Sequence, residues 1–144
     1  MEEERKRRRS EVFLDAHRDL LQLIETMSSR LKRAELERYA NDMRGMLSML
    51  AGKLTIHLAM EDKALYPRLA THKSPLVRET AERLAHEMGG ILEVFKDYLA
   101  RWPTAEAIQG DVSRFIVETN QICDAMRTRI AKEDRELFPK LDEL

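Results

Sequence analysis

Apolar residues recur along this chain at every third or fourth position, and the pattern lapses in only a few places. From Glu11 onward, Phe13, Ala16, His17, Leu20, Leu21, Ile24 and Met27 form one stripe, which predicts a first amphipathic helix closed by Ser28-Ser29. A second stripe (Leu36, Tyr39, Met43, Met46, Leu47, Leu50, Leu54, His57, Leu58, Glu61, Leu65) predicts a helix from near Lys32 to about Leu65. Pro67 is expected to stop it, because proline cannot continue a helix interior. Residues 70–74 read as a turn, with Ser74 as N-cap and Pro75 at the first helical position. Leu76, Thr80, Leu84, Ile91, Val94, Phe95, Tyr98 and Leu99 predict a third helix over about 75–100. Trp102-Pro103-Thr104 break the chain, and Gly110-Asp111 break or cap it again. Val112, Phe115, Ile116, Thr119, Ile122, Cys123, Met126, Ile130, Glu133 and Leu137 then predict a fourth helix to about Leu137. Four such helices with short connections predict an all-α, antiparallel up-down-up-down four-helix bundle.

The exceptions to the pattern carry the chemistry. Each helix sets a polar residue near its middle among the apolar ones: His17, then His57 and Glu61, then His86, then Glu133. His57 and Glu61 are four apart and share a helix face. Unpaired charges on core-facing stripes are costly, so converging imidazoles and carboxylates call for a cation or for an internal salt-bridge network. Mixed imidazole and carboxylate donors suit iron, zinc or manganese. Gly89-Gly90 beside His86 has two readings: close helix packing, or room for an added ligand.

The stretch around Glu61, IHLAMEDKALYPRL, has a second copy near the C-terminus, RIAKEDRELFPKL. Aligning Glu61 with Glu133 pairs Asp62 with Asp134, Leu65 with Leu137, Tyr66 with Phe138, Pro67 with Pro139 and Leu69 with Leu141. His57 then falls opposite Arg129, whose guanidinium cannot ligate a metal.

Composition narrows the setting. With 144 residues the chain suits one domain, 1–144, in which 1–10 extend the first helix as a charged run. Charged residues make up 35% and the net charge is −1, so no overall field favours nucleic acid or an anionic membrane. The basic residues Arg5 to Arg9 read as a solvated helix start rather than a nucleic-acid patch. A single cysteine, Cys123, excludes an intramolecular disulfide, and no signal peptide or bilayer-spanning apolar run is visible. A cytoplasmic location is the expectation, while a protein partner is left open.

On His17, His57-Leu58-Ala59-Met60-Glu61, Leu65-Tyr66-Pro67, His86-Glu87, Glu133 and Leu137-Phe138-Pro139, the sequence resembles the hemerythrin-like, or HHE cation-binding, family over nearly its whole length. The resemblance implies a four-helix bundle around a non-haem di-iron site, with bridging carboxylates and terminal histidines. It carries over His17, His57, Glu61, His86 and Glu133 as metal residues, with Glu82 as an added candidate and Arg129 replacing an expected ligand. One metal position then looks intact and the other depleted, with Arg129 placed to pair with Glu61 or Glu133. The implied function is non-haem iron binding, with one or two irons, that captures or senses a diatomic such as oxygen or nitric oxide. Two other readings stay open: a metal-free or zinc-filled bundle serving as a structural or partner-binding module, and a stress-related redox or iron-handling activity. No catalytic residue is expected.

Overall fold

The computed structural model describes residues 2–142, with the side chains of residues 10–141. The side chains of the charged N-terminal run through Arg9, including the basic residues weighed as a patch, lie outside the described ones. The elements in order are α1 (Glu2–Ser29), α2 (Arg33–Met60), a π-helical turn (Glu61–Leu65), α3 (Tyr66–Leu69), α4 (Pro75–Met88), α5 (Ile91–Arg101), α6 (Ala105–Gly110), α7 (Val112–Lys132), a second π-helical turn (Glu133–Leu137) and α8 (Phe138–Asp142). No strand occurs among the described residues. The result is an all-helical bundle in which α2 packs on α1, α5, α6 and α7, α1 packs on α7 and α8, and α4 packs on α3 and the second π turn.

Helix boundaries follow local chemistry. Ser74 caps α4 by accepting from the Val77 N–H, Thr104 caps α6 by accepting from Ala107, and Asp111 caps α7 by accepting from Arg114. Three sequence expectations are corrected. First, Pro67 does not end the helix, which runs on through Leu69. The π turn before it carries the Tyr66 N–H to the Glu61 carbonyl, one residue wider than an α turn, and this eases the proline ring past the preceding turn. The second copy does the same: the Phe138 N–H reaches the Glu133 carbonyl ahead of Pro139.

Second, the third helix is two helices. Gly90 adopts φ 87°, a left-handed value that favours glycine, and separates α4 from α5. Third, the inward faces differ from the single stripe expected: Leu76 in α4 and Val94 in α5 are exposed, while Val77, Met88 and Leu92 are buried. Tyr39, assigned inward by periodicity, is also exposed, because its own backbone (φ −124°, ψ 36°) leaves the helical region and turns α2 locally.

The apolar core forms two clusters. The larger includes Leu20, Leu54, Leu58, Leu92, Phe95, Phe115 and Ile130. The smaller is built from Tyr66, Leu69, Val77, Ala81, Leu84, Met88, Leu137 and Phe138, with Phe13 packed against it. Along α1 the boundary falls between Phe13 and Leu20, from α2 into α3 between Leu58 and Tyr66, and from α7 into the second π turn between Ile130 and Leu137. His17, Glu61 and Glu133 lie in those three intervals, so a polar layer divides the core. No helix among the described residues is long and apolar enough to cross a membrane.

Candidate metal centre

Four of the side chains singled out from the sequence come together in this layer. His17 from α1, His57 from α2, and Glu61 and Glu133 from the starts of the two π turns are all buried, and one donor atom of each lies within 4.8 Å of the others. Helix spacing sets the first pair, since His57 and Glu61 are one turn apart with Nε2 to Oε2 at 3.2 Å. His17 Nε2 then lies 3.0 Å from His57 Nε2, 3.6 Å from Glu61 Oε2 and 3.3 Å from Glu133 Oε1. His86 and Glu82 do not join them. Both are exposed, because Leu84 and Met88 hold the inward positions of α4 at that level.

Two features set this cluster apart from an ordinary internal salt bridge. Glu61 Oε2 and Glu133 Oε1 are fully buried and accept no hydrogen bond, although most buried polar atoms do. They face two imidazole nitrogens that face each other. Donors around one ion at bonds of ~2.1 Å sit roughly 3.0–3.4 Å apart, and three of the four distances given above fall in that range, the fourth being 3.6 Å. The His17 ring is also pre-set, for its Nδ1–H donates to Asp134 Oδ1 at 2.6 Å and leaves the Nε2 lone pair for the centre. The Phe138 ring stacks on it, with centroids 5.4 Å apart.

The second oxygens of the carboxylates point the other way, toward Arg129. This residue is 2% exposed and its Nη2 donates to Glu61 Oε1 at 3.1 Å and to Asp62 Oδ1 at 2.7 Å. Its Nε donates to Glu133 Oε2 at 3.4 Å, and its Nη1 to the Met88 carbonyl at 3.5 Å. Tyr66 donates its hydroxyl to Glu133 Oε2 at 2.8 Å and sets its ring 5.7 Å from the guanidinium carbon.

Electrostatics show a layer rich in acid. Four carboxyl groups, Glu61, Glu133, Asp62 and Asp134, face the single guanidinium of Arg129 and two imidazoles. Burial opposes ionisation of Glu61, but His17, His57 and Arg129 hold its carboxyl well below the usual range. Burial, together with Glu61 beside it, pushes the Glu133 carboxyl up. Burial alone would depress His17, yet the Asp134, Glu133 and Glu61 carboxylates raise it to about 11. Burial likewise works against the Arg129 cation, which Glu133, Asp62 and Glu61 more than restore. A divalent ion between the four donors would remove most of the imbalance and give both orphaned oxygens a partner.

Three residues of this arrangement were not among the sequence candidates: Asp62, Asp134 and Tyr66. The signal was present in the repeat itself, whose two copies share the Asp after the Glu and an aromatic ring before the proline. Asp134 and Phe138 serve His17, while Asp62 and Tyr66 serve Arg129.

Two surface clefts approach the layer. One of about 190 Å³, lined by Phe13, Ala16, Ile56 and Met60 among others, reaches His57. The other, about 280 Å³, lies over Arg129 and Tyr66 at the Gly89-Gly90 break. A family model, the hemerythrin HHE cation binding domain, matches residues 9–141. Neither the curated proteins nor the solved structures give a match.

Proposed function

Because the chain belongs to the hemerythrin HHE cation-binding family, we propose that it is a non-haem iron protein that binds or senses a small diatomic such as oxygen or nitric oxide. Residues 1–144 would form one domain of up-down-up-down four-helix topology, with iron held by His17, His57, Glu61 and Glu133. The observation that carries the reading is the pair of orphaned carboxylate oxygens opposite two Nε2 atoms 3.0 Å apart. Two imidazoles with carboxylate suit iron with positions left open, zinc and manganese being the other ions this donor set accepts. Iron would supply a redox-active Lewis acid for the diatomic.

The chain's own residues provide the rest. Asp134 fixes the tautomer and direction of His17. The apolar cores on either side of the layer keep bulk water from the donors. The cleft that reaches His57 is walled mainly by apolar side chains, Phe13, Ala16, Ile56 and Met60 among them, with the paired Asp19 and Lys53 also on its lining, and is of a size to admit a small molecule.

Protein produced with iron, reduced and kept anaerobic, should carry iron and change its absorbance when nitric oxide or oxygen is admitted. His57→Ala should lose both properties while its helical circular dichroism persists. Folded protein that takes up no iron would overturn the metal reading, and iron-loaded protein silent to both gases would overturn the diatomic reading. A metal-free or zinc-filled module that binds a partner is the second reading, favoured by the ion pairs of Arg129. Those pairs leave the excess of carboxylates in place, which is why it ranks second.

A further inference from the structure

Both carboxylates of the layer use their two oxygens in opposite directions. Glu61 Oε2 and Glu133 Oε1 face the histidines, whereas Glu61 Oε1 and Glu133 Oε2 face Arg129. Two carboxylates turned this way define two cation positions, one on each side. Imidazoles line the first, and a guanidinium fills the second.

The repeat explains how the guanidinium came to be held there. Asp134, in the second copy, takes the inward histidine of α1. The matching Asp62, in the first copy, would by the same symmetry take a side chain from α4. His86 is exposed and leaves Asp62 free of it, and Arg129 from α7 occupies Asp62 at 2.7 Å. The carbonyl of Met88, at the end of α4, and the ring of Tyr66 complete the seat. Arg129 thus meets three carboxylates, a carbonyl and an aromatic face, which is the environment of a cation. Space does not bar an ion from this side, since the cleft of about 280 Å³ abuts the guanidinium.

We infer that Arg129 is a built-in substitute for a second metal ion, so that the chain holds one cation where a carboxylate-bridged pair would hold two. The inference rests on the metal reading above and narrows it. A guanidinium stays protonated throughout the physiological range and cannot change oxidation state. A single iron passing between ferrous and ferric would supply one electron, so reducing a bound diatomic by two electrons would need a second donor from outside the chain.

The test is a cobalt(II) titration of the full chain followed by visible absorbance, with zinc content after desalting as a second count. Wild type should saturate at one equivalent however much metal is added. Arg129→His removes the fixed charge, frees Asp62 and adds an imidazole, and should saturate at two. Arg129→Lys keeps the charge and should stay at one. Wild type that takes two equivalents overturns the proposal, as does a folded Arg129→His chain that stops at one. Folded wild type that binds none overturns the metal reading and this inference with it, which separates the two failures. Should Arg129→His not fold, the endpoints of wild type and Arg129→Lys decide the matter: one each supports the proposal, and two in either overturns it.

Discussion

Replacing Glu133 by glutamine should move stability and metal affinity in opposite directions. In the metal-free chain Glu133 Oε1 is buried with no hydrogen bond, and its carboxyl is pushed up by burial and by Glu61. A buried group without its partner costs about 1–3 kcal/mol, more when charged. Glutamine keeps an acceptor for the Tyr66 hydroxyl, 2.8 Å away, ends the repulsion with Glu61 and can turn its amide N–H toward the orphaned Glu61 Oε2. His17, protonated in this state, gives up Glu133 but keeps Asp134 and Glu61. Arg129 loses one charged partner but retains Glu61 and Asp62. The gain should exceed the loss by ~1–2 kcal/mol, a rise of roughly 3–6 °C in Tm for a chain of this size. Loaded with metal, the same variant loses an anionic ligand. Removing partners of metal ligands already costs about 10–100-fold in affinity, so a ligand should cost at least that much. Urea and thermal melts with and without chelator, beside a competitive metal titration, measure both quantities. A metal-free Glu133→Gln chain destabilised by more than ~1 kcal/mol would refute the reasoning, since it would mean that the carboxylate belongs to a satisfied structural network.

Other outcomes follow from the same geometry. Asp134→Asn leaves the fold intact but loosens the His17 ring, and should weaken metal binding by about 10–100-fold in a chelator competition. His17 sits at about 11 in the metal-free chain, above its ordinary 6.5, so its protonated form stabilises the fold; that contribution is complete below about pH 6.5 and is lost as pH rises through about 11. Urea midpoints of the chelated protein should therefore fall across the alkaline range, and a flat profile would contradict the assignment. Gly90→Ala forces an L side chain to φ 87° in open space, with a cost of about 1–2 kcal/mol read as a lower urea midpoint.

Much of this protein was written in local chemistry. The periodic stripes placed the helices because burying one face of a helix requires that spacing, and Ser74-Pro75 and Asp111 marked helix starts through groups that act within three residues. The repeat brought out His57, Glu61 and Glu133, since i, i+4 placement on one face is a property of the helix itself. Periodicity also named His17, and its burial against the other three agrees with that stripe. What the sequence left undecided depended on distant contacts. Whether Pro67 ends a helix or follows a widened turn is settled by the packing of Tyr66 and Leu69 into the smaller core cluster. Whether His86 faces the layer or solvent depends on the helical phase of α4, which Val77, Ala81, Leu84 and Met88 fix against neighbouring helices. The partners of Asp62 and Asp134 stand 67 and 117 positions away, beyond the reach of any local pattern. Arg129 is the plainest case: the sequence supplied a cation, and the fold decided that both carboxylates would close on it.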